Sequence, residues 1–327
     1  MLERPTFQDV LKAKAAVAKY VHRTPLYHYP TLSKIIGAET YVKHENQQVL
    51  GSFKVRGGVN LAPNLDETSK RRGMVSASSG NHGQSIAYGG HVFGIKVIIA
   101  VPEGANPGKV ESMRNLGAEV VSHGKRFDDA REYIERLAKE EGYRYVHPGN
   151  EPLLIAGVAT YSLEILEDLP NVDVIIVPLG GGSGASGACI VAKAINPKIQ
   201  VIAVQSQQSP AAFLSWKAGH VQESPDTTTA EGLATKSGFE LPISILKDML
   251  DDFILVSDDE IDEAIVMHLE KTHNLAEGAG AASLAGALKI RDRLRGKKVA
   301  IVLSGGNISL PQLASAINKK QASSQSS

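Results

Sequence analysis

Val177-Pro178-Leu179-Gly180-Gly181-Gly182-Ser183-Gly184-Ala185-Ser186-Gly187 is the stretch on which the reading of this chain turns. It follows the apolar run Val174-Ile175-Ile176-Val177 and precedes an Ala-rich helical segment, from about Ala185 to Ala194. A glycine-rich turn between a buried strand and a helix lets the backbone come close to an anion. Free N–H groups and the helix dipole then supply a positive field. A tight turn with small residues for packing is the plain alternative, but four glycines in the five positions 180 to 184 exceed what a turn requires. Gly182, Gly184 and Gly187 also spell G-x-G-x-x-G, which raises a nicotinamide dehydrogenase as a rival. That fingerprint calls for an acidic residue about 20 positions on, at the end of the next strand. Here the next strand ends Val204-Gln205-Ser206, with no acid. Phosphate binding stands and the dinucleotide reading weakens.

Outward from this loop, the same alternation recurs. Lys96-Val97-Ile98-Ile99-Ala100-Val101, Val201-Ile202-Ala203-Val204 and Val299-Ala300-Ile301-Val302-Leu303 are near-continuous apolar runs, as expected of strands covered on both faces. Amphipathic stretches lie between the runs, among them Asp128 to Glu141 and Asp258 to His273. Ser257-Asp258-Asp259-Glu260 is a helix start, with a side-chain cap and acids at the positive end of the dipole. Pro107 opens a short helix and Gly117 closes it before Ala118-Glu119-Val120-Val121. The alternation predicts an α/β protein of doubly wound type. The Lys/Gln/Ser-rich tail from Lys319 to Ser327 has little to bury and reads as frayed.

Composition narrows the function classes. With 35 Lys+Arg against 35 Asp+Glu, nothing attracts a polyanion, so nucleic acid and acidic membrane surfaces are not expected partners. At 43% hydrophobic and 21% charged residues, the profile is that of a soluble globular protein. Its 327 residues suffice for about two domains. Cys189 is the only cysteine, which excludes an internal disulfide and a cysteine-rich metal site. Met1-Leu2-Glu3-Arg4-Pro5 lacks the layout of a signal peptide, and no apolar run approaches a membrane span. A cytoplasmic location is expected. No H-E-x-x-H pairing supports a zinc hydrolase. Trp216 reads as a packing residue, and His147 before Pro148 as a turn.

Three further motifs carry chemistry. Ser76-Ala77-Ser78-Ser79-Gly80-Asn81-His82-Gly83-Gln84 joins a strand to a helix, and its hydroxyls, amide and backbone donors suit a carboxylate or phosphate. Ser78, Ser79 or Asn81 serving merely as a helix cap is the alternative. In Gly51-Ser52-Phe53-Lys54-Val55-Arg56-Gly57-Gly58, Lys54 follows an aromatic residue between flanking glycines. A lysine is by default a solvated surface residue, yet an amine desolvated beside cofactor charges can form a Schiff base with an aldehyde. Val302-Leu303-Ser304-Gly305-Gly306-Asn307 ends the last strand, where ligands of open α/β sheets bind. Ser304 either offers a hydroxyl there or caps the next helix.

Together, in this order, the four motifs resemble the fold-type II pyridoxal-phosphate enzymes, specifically the threonine/serine dehydratase and serine racemase family. The match runs from Thr24-Pro25-Leu26 to Asn307 and includes Glu277-Gly278-Ala279-Gly280-Ala281. The resemblance implies a tryptophan-synthase-β-like fold of two doubly wound open-sheet domains. A small mobile substrate-binding domain, 73–148, would be inserted in a large cofactor-binding domain of 1–72 and 149–327. It implies that Lys54 carries pyridoxal 5'-phosphate as a Schiff base. Gly180, Gly181, Gly182, Ser183 and Gly184 would hold the phosphate, Asn81 would bond the phenolic oxygen, Phe53 would pack near the ring and Ser304 would meet the pyridine nitrogen. Ser78, Ser79, Asn81 and His82 would take the substrate carboxylate. Relatives are usually dimers, so a homodimer is expected.

The activity implied is ammonia loss from threonine or serine, by removal of the α-proton by Lys54 and expulsion of the β-hydroxyl as water. A neutral serine at the pyridine nitrogen does not protonate the ring as a carboxylate would, which favours rapid elimination. Ser79 is the informative variable. The loop usually reads S-A-G-N-H in biosynthetic threonine dehydratases, and S-S-G-N-H in serine racemases and some hydroxyaspartate dehydratases. Serine racemization, or dehydration of 3-hydroxyaspartate or phenylserine, is therefore the alternative activity, with Ser79 as a second catalytic group. A non-catalytic binding protein is the third class. Three departures stand out. Gln205 replaces the glutamate of cation-binding relatives, and an amide is a poorer ligand for a hard cation, so metal activation is not expected. Ala156-Gly157-Val158-Ala159-Thr160 replaces the frequent A-G-Q-G-T. Nothing after Asn307 is long enough for a C-terminal regulatory domain, so feedback through one is not expected.

Overall fold

A computed structural model describes residues 2–325, the side chains of 323–325 excepted. The described residues fall into two compact units, one of 2–22 and 54–160, the other of 23–53 and 161–325. Their strands are β1 (Leu26–His28), β2 (Glu39–His44), β3 (Met74–Ala77), β4 (Val97–Val101), β5 (Glu119–Ser122), β6 (Arg144–Tyr145), β7 (Val174–Pro178), β8 (Gln200–Ser206), β9 (Asp252–Val256) and β10 (Lys298–Leu303).

The first unit carries a parallel four-stranded sheet of order β5-β4-β3-β6. Strand alternation splits its side chains between two apolar layers. Met74, Val97, Ile99 and Val101 pack with Leu61, Ile86 and Met113, while Val75, Ala77, Ile98 and Ala100 pack with Ala130, Ile134 and Ala138 on the other face. This two-sided burial is why the run 96–101 shows no polar alternation. The first unit contains the expected insertion 73–148 together with 2–22, 54–72 and 149–160.

The second unit carries a six-stranded sheet of order β1-β2-β10-β7-β8-β9. All its pairings are parallel except that of the short edge strand β1, which the sequence did not single out. One face buries Val174, Ile176, Ile202, Val204, Val299 and Ile301 against Ile36, Ile261, Ile265 and Leu284. The helix Ser183–Ile195 packs on β7 and β8, whose Ile175, Val177, Val201 and Ala203 are fully buried. Lys43 on β2 is also fully buried, with its ammonium 2.5 Å from Glu164 and donating to the Thr24 carbonyl at 2.7 Å.

The predicted helix starts and stops are found. Ser257 Oγ accepts from the Glu260 N–H at 3.1 Å and Glu260 accepts from the Ser257 N–H at 2.6 Å, opening the helix Asp258–Thr272. Asn106 caps the helix Pro107–Asn115, and Gly117 turns the chain with φ of 83°. His147 Nδ1 accepts from the N–H groups of Gly149 and Asn150 at 3.0 and 2.9 Å, which makes the expected turn. Trp216 packs between Phe213 and Phe253 and donates to the Leu246 carbonyl.

The tail differs from its expected fraying. Residues 319–325 continue the helix Leu310–Gln325, while Ser326 and Ser327 lie outside the described residues. Leu313, Ala316 and Ile317 join the core of the second unit, and Lys319 Nζ lies 2.9 Å from Asp259 and 2.7 Å from Asp262. Anchoring upstream, not composition of the last residues, extends this helix.

Four histidines are held neutral, chiefly by burial. His44 and His147 are pushed down to about 4, and His82 and His268 to about 3. On unfolding each regains an ordinary imidazole, so between pH 6.5 and 4 the unfolded chain binds more protons and stability falls with acidification. Each such histidine contributes at most about 1.4 kcal/mol per pH unit in that window. The urea midpoint is therefore expected to drop clearly between pH 7 and pH 5, and equal midpoints would contradict the burial of these imidazoles as the cause.

Candidate active site

Lys54 opens the 54–160 segment of the first unit and stands at the N-cap of the helix Val55–Leu61, half-buried. The backbone of this helix is clamped to the helix Asn81–Phe93, which follows the Ser78-Ser79-Gly80 loop. Ser85 Oγ donates to the Lys54 carbonyl at 2.6 Å and accepts from the Gly58 N–H at 3.1 Å. The approach is too close for side chains. A Cβ on Gly58 would lie 2.1 Å from the Ser85 carbonyl oxygen, and one on Gly89 would lie 2.7 Å from that of Gly58. On its other side the short helix meets residues 152–160. A Cβ on Gly157 would lie 2.5 Å from the Arg56 carbonyl oxygen, and the fully buried Arg56 donates to Thr160 Oγ1 at 3.1 Å. The departure at Val158 and Ala159 thus falls in a buried helix contact.

Within the same unit, the helix Asn81–Phe93 starts without a side-chain cap. Its first-turn N–H groups at His82 and Gly83 have no acceptor inside the helix, the arrangement that receives an anion. Ser78 Oγ accepts from the Gly80 N–H at 3.2 Å, and the half-buried Ser79 hydroxyl bonds no other side chain or backbone group among the described residues. The His82 ring turns inward. Ser76 Oγ donates to the Val146 carbonyl at 2.8 Å and so accepts from His82 Nε2–H at 3.0 Å. Burial, and then the nearby Lys54 charge, keep this imidazole neutral. What His82 offers a ligand is its backbone N–H.

The second unit holds the glycine loop, and each wall of the loop excludes a side chain. A Cβ on Gly180 would lie 2.1 Å from the Gly232 carbonyl oxygen, on Gly181 2.8 Å from the Phe239 ring, and on Gly182 2.7 Å from Pro242. Gly182 has φ of 87° and precedes the helix Ser183–Ile195, which also lacks a side-chain cap. Gly184 is fixed by Tyr161, whose hydroxyl donates to its carbonyl at 2.9 Å, and the Phe53 ring stands edge-on to Tyr161 with centroids 5.8 Å apart. The Phe53 N–H donates to the Ser304 carbonyl at 3.0 Å, so the residue before Lys54 is tied to the end of β10. The Ser304 hydroxyl bonds no other described residue. Glu277 lies beside it, its carboxylate 2.5 Å from where a Gly305 Cβ would be.

Of the residues singled out in the sequence, Lys54, Ser78, Ser79, Asn81 and His82 belong to the first unit. Phe53, Gly180 to Gly184 and Ser304 belong to the second. Ser85, Tyr161, Glu277 and Gly232 were missed as positioning residues; only Glu277 had a signal, the small-residue run after it. Gln205 is fully buried and its side-chain oxygen accepts from the Phe213 N–H at 3.1 Å. Each unit, taken by itself, offers donors that suit a part of pyridoxal phosphate: in the second, the side-chain-free loop at an uncapped helix start suits a phosphate and the Ser304 hydroxyl a ring nitrogen; in the first, the Lys54 amine suits an aldehyde.

Ser85→Ala removes the acceptor of the buried Gly58 N–H and is expected to destabilise the protein by about 1–3 kcal/mol. Urea unfolding measures this, and a change within error would mean that the glycine crossing holds Lys54 without the hydroxyl.

Comparison with known proteins agrees with this geometry. The family model described as pyridoxal-phosphate dependent enzyme matches residues 17–305. The L-threonine ammonia-lyase of Thermotoga maritima is 41% identical over 315 residues, covering 96% of this chain and 78% of its own. The solved structure of the processed form of threonine deaminase isoform 2 from Solanum lycopersicum superposes with a TM-score of 0.91 at 29% identity, covering 97% of this chain and 96% of that one. Serine racemase from Dictyostelium discoideum gives a TM-score of 0.88 at 36% identity, covering 94% and 99%. The family model spans most of the chain and relatives match it nearly end to end, so this chain belongs to the family: the pyridoxal-phosphate dependent enzymes.

Proposed function

We propose that the protein is an ammonia-lyase that converts L-threonine to 2-oxobutyrate and ammonia, and L-serine to pyruvate and ammonia. The observation that carries this reading is the 41% identity to an L-threonine ammonia-lyase across 96% of the chain. When bound, pyridoxal phosphate supplies an electron sink for the charge left when an amino acid loses its α-proton. Lys54 Nζ would hold the aldehyde of the cofactor, and as a free amine it would take that α-proton as general base. The uncapped start of the helix Asn81–Phe93, with Ser78, Ser79, Asn81 and the His82 N–H, holds the substrate carboxylate. Asn81 would also bond the phenolic oxygen of the cofactor. Gly180, Gly181, Gly182, Ser183 and Gly184 would hold its phosphate, and Phe53 would pack near its ring. The Ser304 hydroxyl would donate one neutral hydrogen bond to the ring nitrogen and add no charge there, which would favour expulsion of the β-hydroxyl as water over other fates. In this reading 73–148 is the mobile substrate-binding part. The protein acts in the cytoplasm as a homodimer; among the described residues no helix is long and apolar enough to cross a membrane.

Turnover of L-threonine, L-serine, D-serine and L-threo-3-hydroxyaspartate, read as 2-oxo acid and ammonia, tests the proposal. Threonine or serine is expected to react fastest, and Lys54→Ala to lose both turnover and the visible absorbance of the lysine-bound cofactor. Retained absorbance with negligible threonine and serine turnover would move the activity to another β-hydroxy amino acid.

A second activity, racemization of serine, is favoured by Ser79, whose hydroxyl bonds no described residue and is free to exchange a proton with a substrate. Ser79→Ala is expected to abolish conversion between L- and D-serine while sparing elimination from the L-isomer. Unchanged racemization in that variant would remove Ser79 from the reaction.

A further inference from the structure

Between the helices Ala211–Ala218 and Glu240–Met249 the second unit carries a long connection, 219–239, whose sole helical piece among the described residues is the turn Glu231–Leu233. Long irregular segments inside a compact fold need anchors to hold one shape. This one forms a wall of the glycine loop, because the Gly232 carbonyl oxygen sits 2.1 Å from the position of a Gly180 Cβ. On its opposite side it rests on the start of the helix Gly278–Lys289. A Cβ on Gly278 would lie 2.8 Å from the Ala230 Cβ, and one on Gly232 would lie 2.7 Å from that of Ala279.

Upstream of this wedge, one carboxylate gathers the connection. Asp258 Oδ1 accepts from Ser206 Oγ and from Thr228 Oγ1, each at 2.7 Å. Oδ2 accepts from the Thr229 N–H at 2.7 Å and from Thr229 Oγ1 at 3.1 Å. Thr228 Oγ1 in turn accepts from the Ala230 N–H at 3.1 Å. One anion thus joins the end of β8, the first residue of the helix Asp258–Thr272 and two successive residues of the connection. Hydrogen bonds to an ionised acceptor are the strong ones. Downstream, Ser209 and Thr235 exchange two further bonds of 3.0 Å.

We propose that Asp258 is a positioning residue for the cofactor phosphate: through Thr228 and Thr229 it holds Ala230 to Leu233 against Gly180 and so fixes the shape of the glycine loop. The inference rests on cofactor binding alone and is independent of which amino acid the enzyme turns over.

The test is release of cofactor from the holoenzyme on dilution, followed by the visible absorbance of the bound form, alongside urea unfolding. Asp258→Ala is expected to speed release about tenfold, the consequence of losing one or two charge-assisted bonds at the loop wall. Asp258→Asn, which keeps the shape and one acceptor, restores much of the retention. Thr228→Val leaves the carboxylate in place, loses one of its donors and is expected to speed release by an intermediate factor. Asp251→Ala is the control. Asp251 accepts from the Val201 N–H at 2.7 Å and pairs with Lys193 at the opposite end of β8, so its loss lowers stability and leaves release unchanged. Wild-type release in both Asp258→Ala and Thr228→Val, or equal acceleration in Asp251→Ala, overturns the inference while leaving the family reading intact. A wild type that holds no cofactor overturns both.

Discussion

The Ser85 hydroxyl, shared between the Lys54 carbonyl and the Gly58 N–H, is the contact on which the placement of Lys54 depends. A lysine side chain has four rotatable carbons and no shape of its own, so its amine is placed only as well as its backbone is placed. Here the backbone is set by a crossing of two helices at which Gly58 and Gly89 leave no room for side chains of their own. The same crossing fixes the distance from Lys54 to the uncapped start of the helix Asn81–Phe93. Lys54 and the start of that helix are therefore held by one packed crossing, and neither needs a side chain of the other to find its position.

The second unit solves a different problem by a related device. Three successive glycines, 180 to 182, are each required by a different neighbour: a backbone carbonyl, an aromatic ring and a proline. A loop walled on three sides cannot relax toward an approaching anion, so its N–H groups are oriented before the anion arrives. That is the condition under which backbone dipoles bind strongly. Tyr161 completes the arrangement by donating to the Gly184 carbonyl, so this oxygen has its own donor.

Much of this was legible in the chain itself. Two-sided burial left unbroken apolar runs at 96–101, 174–177, 201–204 and 299–303, and helix signals such as Ser257, Pro107 and Gly117 act within a few residues, so local sequence suffices. The glycine loop, Lys54 and the Ser78 to His82 loop were legible because each needs unusual residues. What escaped was ordinary in composition and decided at long range. Ser85 and Tyr161 look like any helix residue until their partners, 31 and 23 positions away, are known. Asp258 is read correctly as a helix-start acid, yet its carboxylate serves Thr228 and Thr229, 30 and 29 residues earlier. The C-terminal helix was misread because its anchors, Ala316 and Lys319, find their partners in an element some sixty residues upstream.

The strand order of the second unit bears on how the chain is made. β10, the last strand in sequence, lies in the middle of its sheet, between β2 and β7. Until residue 303 leaves the ribosome, β2 and β7 each present an unpaired edge, and the apolar layer built on Val299 and Ile301 is open. Residues 54–160, by contrast, bring a complete four-stranded sheet early in synthesis. Co-translational folding should therefore be biphasic, with an early first unit and a second that waits for the end of the chain while its edges are open to wrong pairings. The need for protection during synthesis should therefore be greatest for the glycine-loop unit, because the central strand of its sheet is the last to be made.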